Sequence, residues 1–149
     1  MFRRILLAYD GSEGARIALE RVRELATPAA EVHVLAVGRI PEYAETVSEV
    51  EEAKEQAARH YRGGVDDAVQ SLRAAGVTAE PHVDYGKVGD TIVRVAEAVG
   101  ADLIVVGTNP HTALKRRVLG ASADKVVDHA HCSVLVVRGA APAASRPAG

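Results

Sequence analysis

Four short runs of branched apolar residues, separated by amphipathic segments, limit the folds open to this chain more than any other feature. Each run is almost continuously apolar, and this is the pattern of a strand buried on both faces. The runs cover residues 5–9, 32–37, 103–106 and 134–137. A weaker run, residues 77–83, contains polar residues and Pro81. Because proline cannot donate to a central ladder, this run is predicted to lie at a sheet edge.

Helical patterns fill the segments between these runs. Ser12 is a natural N-cap for the first helix. Residues 42–75 form a long amphipathic pattern that contains Gly63 and Gly64. Each glycine inside a helix costs roughly 1 kcal/mol relative to alanine, so a kink or break is predicted at this pair. Two shorter helices are predicted over residues 88–99 and 122–129.

The alternation of strands and helices predicts an α/β fold with a five-stranded parallel, doubly wound sheet and helices on both faces. Parallel strands need right-handed crossovers, and the helices supply them. We expect one domain over residues 1–138 and a disordered tail over residues 139–149. In such a sheet ligands bind outside the carboxyl ends of the strands, where the strand order changes direction. Functional residues are therefore sought directly after the strands.

Composition and charge exclude several classes of partner. The chain has 18 basic and 20 acidic residues and a net charge of -2, which gives no reason to expect nucleic-acid or membrane-surface binding. No apolar window reaches the length of a secretory signal or a membrane span, so a cytoplasmic location is expected. Beside the single cysteine, Cys132, stand His129 and His131, but no carboxylate or second cysteine completes a metal site. We expect no metal beyond magnesium accompanying a nucleotide.

The first strand ends in Asp10, Gly11 and Ser12. The Asp10 carboxylate can accept hydrogen bonds from a base or ribose, or it can help to cap the following helix, and the residues leave both roles open. Only Gly11 and Gly14 are present where a dinucleotide fingerprint needs three glycines. A nicotinamide- or flavin-dependent dehydrogenase is therefore not expected.

The fourth strand ends at Gly107 and is followed by Pro110, by basic residues 115–117 and by Gly120 before the last helix. A glycine-containing loop that enters a helix can bind phosphate, because free backbone N–H groups and the helix dipole both point at it. A plain solvated connection with a basic face explains the same residues equally well. The pattern alone does not choose between these two interpretations.

Chained motifs along residues 2–138 resemble those of the universal stress proteins. The matching segments are Tyr9-Asp10-Gly11-Ser12, Val83-x-x-Gly86-x-x-x-Asp90-x-Ile92, residues 101–108, Leu119-Gly120-x-x-x-Asp124-Lys125-Val126 and His129-Ala130-x-Cys132-x-Val134. The resemblance implies a stress-response binding protein. It also implies a homodimer paired through the last strand, at Val134 and Val136.

Family members that bind ATP carry a signature of Gly, two residues, Gly, nine residues, Gly, then Ser or Thr. This chain keeps the spacing with Gly107, Pro110, Gly120 and Ala121. A further phosphate-side serine is replaced by Ala123, and Ser122 is displaced to the position between the two alanines. Proline lacks an N–H and the alanines lack hydroxyls, so ATP binding is predicted to weaken by about a hundredfold or more.

The residues for the adenosine half of the site are better retained than those for the phosphate half. The resemblance places base and ribose contacts at Asp10, Val37 and Val106. Ala8 is also among the cofactor-binding candidates. Two interpretations stay open: a module that binds an adenine nucleotide, weakly or as AMP and not ATP, and a dimeric interaction protein with a vestigial pocket. No general base paired with a nucleophile can be identified, so an enzyme is not expected.

Overall fold

Strands and helices alternate along the computed structural model, which describes residues 1–39, 45–108 and 120–138. Pro110 and the predicted tail over residues 139–149 lie outside these residues. The elements in chain order are β1 (Arg4–Ala8), α1 (Glu13–Leu25), β2 (Glu31–Gly38), α2 (Val47–Ala74), β3 (Thr78–Tyr85), α3 (Val88–Val99), β4 (Leu103–Thr108), α4 (Ala121–His129) and β5 (Ser133–Arg138). No helix in the described ranges combines the length and apolar character needed to cross a bilayer.

The five strands form one parallel sheet in the order β3-β2-β1-β4-β5. The chain winds outward from β1 to β3 and then returns to the other side of β1 to add β4 and β5. The predicted doubly wound α/β fold is thereby confirmed. The weak third strand lies at an edge, as expected, and the last strand lies at the opposite edge.

Helices cover both faces of the sheet, and this explains the continuous apolar runs. Ile5 and Leu7 point into the core shared with α1 and α2, while Leu6 points into the core shared with α3 and α4. All three side chains are almost fully buried. Burying such a side chain stabilises the fold by about 1.5–3 kcal/mol, so each of these three residues contributes on one side of the sheet or the other.

The long second helix differs from the prediction in its start and in its continuity. It begins after Thr46, whose hydroxyl accepts a hydrogen bond from the Glu49 N–H at 3.1 Å, and not at residue 42. It also runs without a break through Gly63 and Gly64, so the predicted break is wrong. Tertiary packing outweighs the propensity cost of two glycines, because the helix buries a stripe of side chains just beyond them. That stripe consists of Val65, Ala68, Val69 and Leu72.

A carboxylate ties the starts of β1 and β4 together. The two oxygens of Asp102 accept hydrogen bonds from the backbone N–H groups of Arg3 and Arg4, each at 2.9 Å. The Asp102 N–H in turn donates to the Arg4 carbonyl at 2.9 Å. Partial desolvation raises the pKa of Asp102, but the N–H groups of Arg3 and Arg4 outweigh it, and the pKa lies below its ordinary value. The ionised carboxylate therefore stabilises the folded state.

Replacing Asp102→Ala is expected to lower the free energy of unfolding at pH 7 by about 1–3 kcal/mol, because two charge-assisted hydrogen bonds are lost. Asp102→Asn keeps one acceptor oxygen and should lose less. The folded-state pKa is depressed, so this stabilisation is present above the unfolded pKa, near 4, and is lost as the pH falls through the folded pKa. Urea unfolding at several pH values measures it. A difference between wild type and Asp102→Ala that stays constant down to about pH 2 would contradict the assignment.

Candidate functional site

A cleft of about 460 Å³ opens at the carboxyl ends of β1, β2 and β4. It lies where the winding of the chain reverses between β1 and β4, and this is the position at which doubly wound sheets bind ligands. Nine of the ten cofactor-binding candidates line this cleft. They are Ala8, Asp10, Val37, Val106, Gly107, Gly120, Ala121, Ser122 and Ala123. The tenth, Pro110, lies outside the described residues.

One wall of the cleft is apolar. Ala8, Val37 and Val106 lie at or near the carboxyl ends of three neighbouring strands and face the layer of α3 and α4. Ile92 of α3 packs behind them, and Val88 lines the same wall. A wall built from small and branched aliphatic groups can accept the face of a planar ring, and apolar lining with few polar groups is usual for ligand sites.

Asp10 holds the turn between β1 and α1. Its Oδ1 accepts a hydrogen bond from the Ser12 N–H at 2.9 Å. The Ser12 hydroxyl caps the helix by accepting from the Ala15 N–H at 3.2 Å. Asp10 thus has a structural role that uses one carboxylate oxygen, while Ser12 is the cap itself. The Asp10 side chain is exposed at the cleft, where a ligand could reach it. Its contact with a ribose stays a prediction.

The N-terminus of α4 forms the opposite side of the cleft. Its N-cap residue is Gly120, with φ of 95°, and no side chain in the described ranges caps the helix. The backbone N–H groups of the first turn therefore lack the oxygen that a serine or aspartate N-cap would supply. Ala121, Ser122 and Ala123 follow, and all three line the cleft. Free N–H groups at the positive end of a helix favour an anionic ligand group here.

Gly107 lines the cleft but has a second, structural reason to be glycine. A Cβ placed on Gly107 would overlap the backbone carbonyl of Gly14 and come within 3.1 Å of the Ala15 N. The first turn of α1 therefore packs directly on the backbone of β4. This contact sets the distance between the N-terminus of α1 and the end of β4, and with it the width of the cleft.

The search for functional residues directly after the strands missed several residues of the cleft. Arg39, directly after β2, could have been found by that rule and places a cation at the site. Tyr9 and Thr108 also end strands. Burial raises the pKa of Tyr9, so its hydroxyl is neutral at pH 7. Tyr61 reaches the cleft from α2, and its position in the apolar stripe of that helix gave no signal of this.

The residues near Cys132 do not gather as a metal site. His131 pairs through Nε2 with Glu97 Oε1 at 2.9 Å on the surface. Burial raises the pKa of the Cys132 thiol, which keeps it protonated and a poor ligand at neutral pH. Cys132 packs partly against the core of α3 and α4.

Comparisons with known proteins agree with this architecture. The universal stress protein family matches residues 1–138. The solved structure of universal stress protein MJ0577 from Methanocaldococcus jannaschii superposes with a TM-score of 0.82 at 28% identity, covering 95% of this chain and 99% of that one. A universal stress protein in complex with cAMP gives 0.70 at 23% identity over 93% and 99% of the two chains. One from Arabidopsis thaliana with AMP bound gives 0.68 at 18% identity over 93% of each.

The parallel sheet and the cleft at its reversal define a doubly wound α/β protein with a cleft at the switch point. The chain belongs to the universal stress protein family. The resemblance carried by the sequence motifs is thereby confirmed over residues 1–138. The two nucleotide complexes are distant enough that they show the shared fold alone.

Gly107→Ala is expected to lower the free energy of unfolding by about 3 kcal/mol or more, because the new methyl group meets backbone atoms of α1 that cannot rotate away. Gly63→Ala is the matched control. A Cβ on Gly63 meets nothing within 4 Å, and alanine in the helix interior should raise the free energy of unfolding by roughly 0.5–1 kcal/mol. Thermal and urea unfolding of both variants measure the difference. Equal stability of the two variants would refute the close packing of α1 on β4.

Proposed function

We propose that this protein binds an adenine nucleotide with a single phosphate, such as AMP, in the cleft at the β1–β4 reversal, and acts as a stress-response binding protein. The observation that carries the proposal is the pairing of an apolar wall with an uncapped helix N-terminus across one cleft. The wall suits a base, and the start of α4 suits one phosphate.

The adenosine end of the proposal is supported by position and chemistry. Ala8, Val37 and Val106 provide a flat aliphatic surface, and the Asp10 carboxylate can accept from ribose hydroxyls. Two structural relatives of the same family bind cAMP and AMP, which both contain adenosine and one phosphate. Their ligands make an adenine nucleotide the natural class to test first.

The phosphate end supports AMP over ATP. Ala121 and Ala123 offer backbone N–H groups but no hydroxyls, and Ser122 supplies the hydroxyl among the first three residues of α4. Pro110 removes one further N–H from the loop where the ATP signature has glycine. One phosphate can be satisfied by the first turn of α4 and by Arg39, whereas a triphosphate needs the missing donors as well.

The described lining of the cleft also favours binding over catalysis. It contains no histidine, and its carboxylate, Asp10, already accepts a hydrogen bond from Ser12. The Ser12 hydroxyl is used as a helix cap. A nucleophile paired with a general base is therefore not assembled among these residues.

Titration calorimetry is expected to show AMP and ATP dissociation constants within tenfold of each other. A preference for ATP of tenfold or more corresponds to roughly 1.4 kcal/mol and would mean that the outer phosphates are well held, against the proposal. Ser122→Ala removes the hydroxyl at the start of α4 and should weaken AMP binding by about tenfold. Ser133→Ala, an exposed serine at the start of β5, is the matched control and should leave binding unchanged.

The double variant Pro110→Gly with Ala121→Ser completes that experiment. It restores one N–H and one hydroxyl, and should raise ATP affinity by roughly thirtyfold or more. AMP should gain much less, since a single phosphate cannot reach all the restored donors. If neither nucleotide binds the parent chain or the double variant, the pocket is vestigial and the protein acts through partner contacts.

A second candidate function, that of a dimeric interaction protein, is favoured by one specific observation, the apolar edge strand β5. Hydrogen bonds to β4 occupy one side of β5, and no described strand pairs with its other side. Val134 and Val136 are only partly buried although they are large and apolar. Natural edge strands of this kind are usually covered or paired, so we propose a homodimer through β5.

Val136→Lys is expected to raise the dimer dissociation constant at least tenfold, because it places a charge in the proposed interface. Val47→Lys is the control, since Val47 is 81% exposed at the start of α2, away from β5. Light scattering at micromolar concentration measures the mass. Circular dichroism checks the fold of Val136→Lys, and Val134→Thr gives a milder variant should lysine disrupt packing. The β5 dimer would be refuted by a monomeric wild type. It would also be refuted if folded Val136→Lys and Val134→Thr variants had the same mass as wild type.

A further inference from the structure

Two histidines and two glutamates gather on the β2–β3 edge of the sheet, on the face that β2 turns toward α3. Glu31 and His33 belong to β2, while Glu80 and His82 belong to β3. Glu80 lies opposite His33 in the parallel register, and His82 follows two residues later on the same face. These four side chains are called the edge cluster below. It lies in a part of the molecule that the nucleotide cleft does not use.

The ligand-type atoms of His33, Glu80 and His82 all lie within 4.8 Å of one another. His33 Nδ1 and His82 Nε2 are 2.7 Å apart, and Glu80 Oε2 is 3.9 Å from His33 Nδ1. Nitrogen ligands on a tetrahedral zinc ion are about 3.3 Å apart, since each Zn–N bond is about 2.0–2.1 Å. The two rings need to separate by only about half an ångström to hold an ion between these nitrogens.

Glu31, the fourth side chain of the edge cluster, supplies a carboxylate beside the second ring nitrogen of His33. His33 is 94% buried, and its Nε2 lies 3.0 Å from Glu31 Oε1, although the N–H direction misses a hydrogen bond. Metal-bound histidines usually donate their second ring N–H to a carboxylate, which fixes the tautomer. A small rotation of the half-exposed Glu31 side chain would make this bond. With Nε2 protonated, His33 Nδ1 keeps its lone pair and faces His82 and Glu80.

We infer that the edge cluster is a zinc-type divalent metal site, with His33 Nδ1, His82 Nε2 and the Glu80 carboxylate as ligands and Glu31 as the partner of His33. Two imidazoles and one carboxylate suit a zinc ion and leave one coordination position for water. Entry is open, because the Glu80 side chain is 55% exposed and faces solvent. The chemistry excludes magnesium as a good occupant, since that ion prefers oxygen ligands.

The site is separate from the nucleotide cleft and has a structural consequence of its own. His33 precedes the cleft residue Val37 by four residues on β2, roughly 13 Å along the strand. A bound ion would join β2 to the edge strand β3, which is polar on this face and is held to the sheet from one side. Metal binding therefore adds a link between β2 and β3 and stabilises this edge of the sheet.

Zinc titration of the untagged full chain, first treated with a chelator and then dialysed, tests the inference. Calorimetry is expected to show one zinc ion per chain. Glu80→Gln should weaken zinc binding at least tenfold, and His82→Gln should weaken it at least a hundredfold, since each removes a ligand. Saturating zinc should also raise the melting temperature of wild type but not of His82→Gln. With Co²⁺ in place of zinc, the intensity of visible absorption reports whether the geometry is tetrahedral.

His131→Gln is the matched control, because His131 also pairs with a glutamate on the surface but belongs to no group of three ligand side chains in the described ranges. Its zinc affinity should stay within twofold of wild type. Glu80 is exposed, so Glu80→Gln decides the question even if His82→Gln fails to fold. Zinc affinity that is unchanged in Glu80→Gln and in folded His82→Gln, or that falls equally in His131→Gln, would overturn the site. So would the lack of measurable zinc binding by wild type.

Discussion

Burial of β1 on both faces is the constraint on which the rest of the structure depends. Ile5, Leu6 and Leu7 are each at most 1% exposed, because α1 and α2 cover one face of the strand and α3 and α4 cover the other. A strand in this position needs a neighbour on each side, and the chain supplies β2 on one side and β4 on the other. The winding must therefore reverse at β1. That reversal separates the connections after β1 and β4 and opens the cleft between them.

The cleft is shaped more by backbone than by side chains. Gly107 lets the start of α1 rest on β4 at the backbone of Gly14, and Gly120 begins α4 without a capping side chain. Two helix N-termini consequently approach one cleft, one capped by Ser12 and the other without a side-chain cap among the described residues. In the proposed nucleotide site, changes at the few side chains that begin α4 would alter which phosphates are held while the fold stays the same. Ala121 is a change of this kind.

The site could be predicted from the sequence wherever its residues follow a strand. Asp10 was found because parallel strands end at one edge of the sheet, and the end of a strand can be read from its apolar run. Val37 and Val106 came from the resemblance to the universal stress proteins. Arg39 satisfies the same rule as Asp10. Tyr61 does not, because it lies in the middle of α2 and reaches the cleft only through the path of that helix over the sheet. No local pattern distinguishes such a tyrosine from the apolar residues around it.

The sequence by itself determined the five strands, the four helices, the parallel sheet and its weak edge strand β3, since apolar periodicity and turn residues are local properties of the chain. Tertiary structure decided the continuity of α2 through Gly63 and Gly64, where packing against the sheet outweighed local propensity. It also decided the edge cluster. His33 and His82 are 49 residues apart, and only the register of β2 against β3 brings His33 Nδ1 within 2.7 Å of His82 Nε2. Register depends on how whole strands bury their faces, and this is settled by the assembled core and not by any one segment.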